Sequence, residues 1–593
     1  MLKKVLSTAL LLAMSHSTQL HAVAGQDISN VGKNAIKVFP QAEVKNFYAS
    51  DKDMQWFKEA KFGVFIHWNQ SSVIGEELSW SRDGLTPDLK VNIQNRVPQK
   101  VYDNLYKKFN PNKFDADKWM KVFKESGAKY IIFTTKHHDG FCMFDAKNTE
   151  YKITNTPYGK DIARQIADAA HKYKMKLFWY YSQPDWTHKD YLTENHDKYR
   201  EYMFEHLRQL LTDYGKIDGI WFDCLNTTWK HWNSPDMIKM IRKLQPGILI
   251  NSRWGWGMPI AINGDFDNPE QELGRYEVNR PWESCITMGP TWGWSGAGKL
   301  MSADSCIKTL VQCVGAGGNL ALNIGPRPDG AIEPQEIKNL KTIGNWLKKN
   351  GKAVYATKGG PYKPGVYGVT SRKKNKIFLH ILAKMTTPKG LTLRFKNLPA
   401  KVLKAYELSS KKKVQFKANN DNITLDISNV KQDNSDTIIV LELDKDATNI
   451  ETMDSSYKEI PVVDAKASSV YGNGYDIKGI LTKGKGEFKA GIHQKKIWVA
   501  KSSTGKKQWV ELDLGTTKTI NALTLTEPKN RTLINSFSLQ YYKDGAWVTF
   551  YKGDSIGVNF SLLFPKIQTS KIRLNISNFK QGDPGLEAFK VYE

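Results

Sequence analysis

From Lys61 to about Gly351, short apolar runs alternate with longer stretches in which apolar residues recur every three or four positions. The runs are Phe62 to His67, Tyr130 to Thr135, Leu177 to Tyr181, Gly219 to Asp223, Ile248 to Asn251 and Asn319 to Ile324. Several are continuous rather than alternating, as parallel strands buried on both faces are. Between them, Trp119, Val122 and Phe123 share one face of a helix predicted from Asp117 to Glu125. Ile162, Ile166, Ala169 and Ala170 share another before the third run. Regular alternation of strand and helix predicts βα units closing into a (β/α)8 TIM-like barrel.

Beyond Asn350-Gly351 the pattern changes to short β-like runs, among them Ile377 to Leu382, Leu391 to Phe395 and Thr437 to Leu443. A polar stretch from Asp444 to Lys458 reads as a linker. It is followed by Trp509 to Gly515, Ile520 to Leu525, Trp547 to Phe550 and Lys571 to Leu574, a further all-β pattern. The expected organisation is a multidomain chain, a barrel over 25–355 followed by two β-sandwich domains at 356–447 and 459–593. A length of 593 residues exceeds what one core usually holds.

The N-terminus has its own order. Lys3 and Lys4 precede an apolar run from Val5 to Met14 and the small residues Ala22-Val23-Ala24, the layout of a secretory leader over 1–24. Export to the periplasm or the medium is the expectation, with no integral membrane segment, since no apolar run is long enough to span a bilayer. The five cysteines show no paired spacing, so neither a disulfide framework nor a metal-binding motif is expected. Cys306 and Cys313, two turns apart, read as helix-core residues. The net charge of +26 comes from lysines spread over the whole chain without a nucleic-acid motif. It reads as a solvated basic surface suited to anionic glycan surroundings, with no nucleic acid as partner.

Active sites in TIM-like barrels are built where strands end and βα loops begin. His67-Trp68-Asn69, His137-His138-Asp139, Tyr180-Tyr181-Ser182, Asp223 and Asn251-Ser252-Arg253 each lie at the end of an apolar run. Five such placements in succession argue for one assembled site. A strand-end aspartate also serves as a helix cap, and single histidines are often structural. A tandem imidazole pair, however, can donate to and accept from sugar hydroxyls, and a carboxylate at the mouth can attack an anomeric carbon.

The ordered motifs Lys61-Phe62-Gly63-Val64-Phe65-Ile66-His67-Trp68, Thr135-Lys136-His137-His138-Asp139-Gly140-Phe141, Trp221-Phe222-Asp223 and Gly317 to Pro326 resemble the glycoside hydrolase family 29 α-L-fucosidases over roughly residues 45 to 355. The resemblance implies a retaining exo-glycosidase acting on a fucosylated oligosaccharide or glycoconjugate, with Asp223 as nucleophile. It also implies His67, Trp80, His137, His138, Tyr180, Trp221 and Arg253 as substrate-binding residues, and no metal or other cofactor. Glu270, in Asp265-Phe266-Asp267-Asn268-Pro269-Glu270, is the first choice for acid/base, and Glu283, in Pro281-Trp282-Glu283, is the alternative. Trp80, Trp292 and Trp294 are candidates for stacking on sugar faces, core packing being the competing role.

One position departs from the family pattern. Ser79 precedes Trp80 where many members carry a glutamate. That loss opens a second reading, α-L-galactosidase, through room for an added oxygen at C6. A third reading is a catalytically inactive glycan-binding protein. The chain from about Ile460 resembles a discoidin-like (F5/8 type C) module, which implies carbohydrate binding and a structural calcium that no motif locates. Oligomeric state is left open.

Overall fold

The computed structural model describes residues 47–593, except 258–263, 297, 387–389, 473, 482–487, 490–491, 494–496, 502–506 and 529–530. The leader expected over 1–24 lies outside the described residues.

Seven parallel strands form the N-terminal sheet: β1 (Phe62–Ile66), β2 (Tyr130–Lys136), β3 (Lys176–Tyr181), β4 (Gly219–Phe222), β5 (Leu249–Ile250), β6 (Glu283–Thr287) and β7 (Asn319–Ile324). Their spatial order is β5-β4-β3-β2-β1-β7-β6. Between the two edge strands runs the irregular segment 266–270. Single parallel bridges join it to Asn251 just after β5 (Asn251 to Phe266) and to β6 and its approach (Asp267 to Trp282, Glu270 to Cys285). The sheet is therefore TIM-like, with seven regular strands and this segment between its edges.

Side-chain alternation explains why the strands are apolar throughout. Val64, Ile66, Ile131, Phe133, Trp179, Ile220 and Leu322 point outward into the core under the helices. Phe65, Tyr130, Ile132, Phe178, Tyr180, Trp221 and Ala321 point inward and form a second, largely aromatic core. Two glycines make room for it, because a Cβ at Gly63 would run into the Tyr130 ring and one at Gly219 into Phe178.

The two predicted helices are present as α1 (Ala116–Glu125) and α2 (Ile162–Lys172). Each starts where an aspartate, Asp115 or Asp161, accepts the backbone N–H of the helix's third residue, Lys118 or Arg164. Their buried faces carry Trp119 and Phe123, and Ile162, Ile166, Ala169 and Ala170, as the spacing predicts. All five cysteines are free and buried, with Cys306 and Cys313 inside the helix α3 (Ala303–Gly315).

After the barrel comes a five-stranded antiparallel sheet whose spatial order is Lys358–Gly359, Gly368–Lys373, Lys376–Ile381, Thr437–Leu443 and Val402–Glu407. Val369, Phe378, Ile438 and Val440 on one face join the barrel core. Ile377, Leu379, Ile439 and Leu441 on the other pack with Leu393, Phe395, Ile423 and Leu425 of a three-stranded sheet. The stretch 444–458, expected to be a linker, is instead packed. Ala447 and Ile450 are buried, Arg372 donates to the carbonyls of both, and Met453 exchanges backbone bonds with Pro361 and Lys363.

The C-terminal β-sandwich is built on the long strands Gln508–Thr526 and Phe560–Phe579 around its own apolar core. Lys384–Met385 of the preceding region pairs with Leu562–Leu563, tying the two together.

Candidate active site

The C-terminal ends of the parallel strands converge on Asp223, the residue after β4. Its Oδ2 accepts from the Tyr180 hydroxyl at 2.8 Å, and its Oδ1 accepts from Arg253 Nη1 at 3.1 Å. The Asp223 backbone N–H donates to Gln183 Oε1 at 3.1 Å, and His138 Nε2 lies 3.8 Å from Oδ2. Tyr180 points inward from β3 and stacks on Trp221, ring centroids 5.5 Å apart, while the Arg253 guanidinium covers Trp221 at 4.9 Å. The aspartate is thus oriented from three strands at once.

Arg253 Nη1 also donates to Glu270 Oε2 at 2.8 Å. One nitrogen bonded to both carboxylates caps their oxygen separation at the sum of the two bond lengths. That bound on the nearest oxygen pair accommodates the about 5 to 5.5 Å between the carboxyl groups of retaining glycosidases. Burial works against the charge on Arg253, but the carboxylates of Glu270 and Asp223 outweigh it and hold the guanidinium above its ordinary range. Glu270 is open to solvent, its side chain 41% exposed against 15% for Asp223.

Glu283 lies elsewhere. It starts β6, is fully buried beneath Trp221, and accepts from Trp221 Nε1 at 3.2 Å and from the Tyr130 hydroxyl. Burial raises its carboxyl from 4.5 to about 7, against the pull of those two hydrogen bonds. A folded-state pKa above the unfolded one favours the fold most fully below pH 4.5. That contribution is lost as pH rises through about 7, by roughly 3 kcal/mol in total. Calorimetry should therefore show the wild-type melting temperature dropping further between pH 5 and pH 8 than that of Glu283→Gln. Parallel pH dependences for the two proteins would contradict this account of Glu283.

Three imidazoles border the nucleophile. His67 follows β1 and packs at a tilt against Trp292 with centroids 4.7 Å apart, while His137 and His138 follow β2 with ring centroids 4.0 Å apart. Burial pushes His67 down to about 3, helped by His138 and opposed by Asn323. It also holds His137 and His138 well below the usual histidine range, aided at His138 by Lys136 and Arg253. All three are neutral near pH 7. Trp80 meets His138 and Trp186 edge-on, with centroids 5.6 and 5.1 Å away. Trp294 turns away and donates to Glu333 at 3.2 Å.

The sequence-expected residues other than Glu283 and Trp294 therefore gather around Asp223. The pattern of apolar runs did not reveal the supporting residues Gln183, which holds the Asp223 backbone, and Asn323 behind His67, whereas Ser182, at the end of the third run, sits behind His138. Glu77 was also missed. It accepts the backbone N–H groups of Trp292 and Gly293 at 2.7 and 3.0 Å and so fixes the loop that carries Trp292. Ser79 is fully buried behind His137.

Among the described residues, one ring nitrogen each of His137 and His138 and one oxygen of Asp223 lie within 4.8 Å of one another, close enough to ligate a metal ion. The same carboxylate already accepts from the Arg253 cation, which disfavours a second cation there.

A parallel TIM-like sheet with an aromatic interior, two carboxylates joined through one arginine nitrogen and a neutral imidazole wall at its strand ends defines a glycoside hydrolase. The family signature described as "Alpha-L-fucosidase" matches residues 34–352, and one described as "F5/8 type C domain" matches 464–586. The chain belongs to the α-L-fucosidase family, glycoside hydrolase family 29, whose members are retaining enzymes. Plasma alpha-L-fucosidase of Homo sapiens is 28% identical over 57% of this chain and 78% of its own length. Tissue alpha-L-fucosidase of Mus musculus is 30% identical over 51% and 71%. Among solved structures, alpha-L-fucosidase isoenzyme 1 from Paenibacillus thiaminolyticus is 32% identical with a TM-score of 0.60, covering 67% of this chain and 99% of its own. A GH29 alpha-L-fucosidase from Bacteroides thetaiotaomicron, trapped as a covalent intermediate with 2-fluoro-fucosyl fluoride, is 27% identical with a TM-score of 0.59, covering 67% and 97%.

Proposed function

We propose that the protein is an exported exo-hydrolase that releases terminal α-L-fucosyl residues from glycans, with Asp223 as nucleophile and Glu270 as acid/base. The observation that carries this assignment is the single Arg253 nitrogen bonded to both carboxylates. Asp223 attacks the anomeric carbon while Glu270 protonates the departing oxygen. A water deprotonated by Glu270 then cleaves the glycosyl–enzyme ester, giving net retention. Tyr180 and Arg253 hold the attacking oxygens in line, and His67, His137, His138, Trp80 and Trp292 form the sugar wall. Glu283, sealed under Trp221, supports that ring. No metal or cofactor takes part in the proposed steps. Export rests on the order of Lys3-Lys4, the apolar run and Ala22-Val23-Ala24. The F5/8 type C module is proposed to hold the enzyme on glycan.

The test is proton NMR of the sugar released from aryl α-L-fucoside and aryl α-L-galactoside, with and without EDTA. The expected result is α-L-fucose as first product, unaffected by EDTA, and slower release of L-galactose. A β-anomer as first product would sink the retaining assignment, and turnover of the galactoside alone would move the assignment to α-L-galactosidase.

A further inference from the structure

Partners buried behind the three histidines determine which ring nitrogen carries the proton. Asn323 donates through Nδ2 to the Trp292 carbonyl at 2.7 Å, so its Oδ1, 2.6 Å from His67 Nδ1, requires an N–H there. Ser182 donates to the Pro184 carbonyl at 3.1 Å and so accepts from His138 Nδ1 at 2.6 Å. In both rings Nε2 is left as a lone pair.

His137 is wired the other way. Ser79 Oγ accepts the Asp139 backbone N–H at 2.8 Å, and its other partner among the described residues is His137 Nδ1 at 2.6 Å. Ser79 is fully buried. If it also accepted from His137, its own hydrogen would be buried without an acceptor, with the full desolvation penalty. The hydroxyl therefore donates to Nδ1, and the imidazole proton sits on Nε2.

We propose that Ser79 is a positioning residue that locks His137 as the Nε2–H tautomer, so that the pocket offers one imidazole donor at His137 against two imidazole acceptors at His67 and His138. Because burial keeps all three rings neutral, the tautomer and not the charge decides how each meets a hydroxyl. An ionised carboxylate at position 79 is an acceptor only. It would draw the proton to Nδ1 and turn His137 into a third acceptor. Substitution at this buried site thus reverses the hydrogen-bond polarity of a ring facing the sugar without adding a group to the pocket. In naming a sugar as the ligand, this inference rests on the function proposed above.

Long-range proton–nitrogen NMR of the full-length protein labelled with ¹⁵N-histidine tests it at pH 7, with signals assigned by His67→Gln, His137→Gln and His138→Gln. The expected spectrum has His137 protonated on Nε2 and His67 and His138 on Nδ1. Ser79→Thr preserves the pattern, and Ser79→Asp moves the His137 proton to Nδ1. Ser79→Ala raises KM for an aryl α-L-fucoside about 3- to 10-fold with kcat largely kept, the loss of one oriented hydrogen bond. A wild-type His137 protonated on Nδ1 overturns the proposal. Should Ser79→Ala fail to fold by circular dichroism, the wild-type and Ser79→Thr spectra still decide. Absence of fucoside turnover by the wild type would overturn the fucosidase reading while leaving the tautomer result standing.

Discussion

Replacing Asp223 with alanine lowers kcat on an aryl α-L-fucoside by on the order of 10⁴-fold or more, with KM little changed. The reason is local. Among the described residues, Asp223 is the one carboxylate held by Tyr180, Arg253 and the Gln183-anchored backbone at the end of β4. The alanine leaves a space beside Arg253 that a small anion fits, so azide restores turnover. Azide arriving from the nucleophile's side displaces the leaving group directly and yields the β-L-fucosyl azide. Steady-state kinetics and NMR of the azide product check both statements. A variant that keeps even a tenth of wild-type kcat would remove Asp223 from the nucleophile's place.

How much of this could be read from the chain follows from where side chains point. In β1 to β5 and β7, inward and outward residues are both buried, one set against the aromatic interior and the other against helices. Several of these strands therefore appear as unbroken apolar runs, and the polar residue ending each falls at the mouth. Asp223, His67 and the His137-His138 pair were legible for that reason. β6 was not, because Glu283, Ser284 and Thr287 sit in its short span and each is buried with a partner that no periodicity reveals. The neighbouring 266–270 segment makes only single bridges, and so carries Glu270 at the right height without any strand pattern. Family resemblance singled out both glutamates, but whether each faces the mouth or the interior depends on strand register. The stretch 444–458 misled through its polarity, since its backbone carbonyls, rather than its side chains, are what the buried Arg372 holds. Ser79 looked like a lost sugar contact, and its hydrogen bond to the back of His137 became visible only in three dimensions.

Glu270→Ala is the substitution that separates the two glutamates. General acid–base assistance contributes about 10²- to 10⁴-fold, but its share depends on the leaving group. A dinitrophenyl α-L-fucoside departs without protonation, so its cleavage stays fast and the glycosyl–enzyme accumulates, with a burst of phenol followed by slow turnover. A fucosylated oligosaccharide needs the proton and loses the full factor. Azide accelerates the slow phase because it needs no general base, and it attacks the intermediate from the face opposite Asp223. The product is the α-L-fucosyl azide, opposite in anomeric configuration to that from Asp223→Ala. Glu283→Gln should show neither the burst nor the azide response, since its carboxyl is shut beneath Trp221 and can reach no leaving oxygen. Burst kinetics on the activated substrate with NMR of the azide product give the decision. A burst and an α-azide from Glu283→Gln, with none from Glu270→Ala, would reverse the assignment. It would also require the Arg253 bridge between Asp223 and Glu270 to be only a structural clamp.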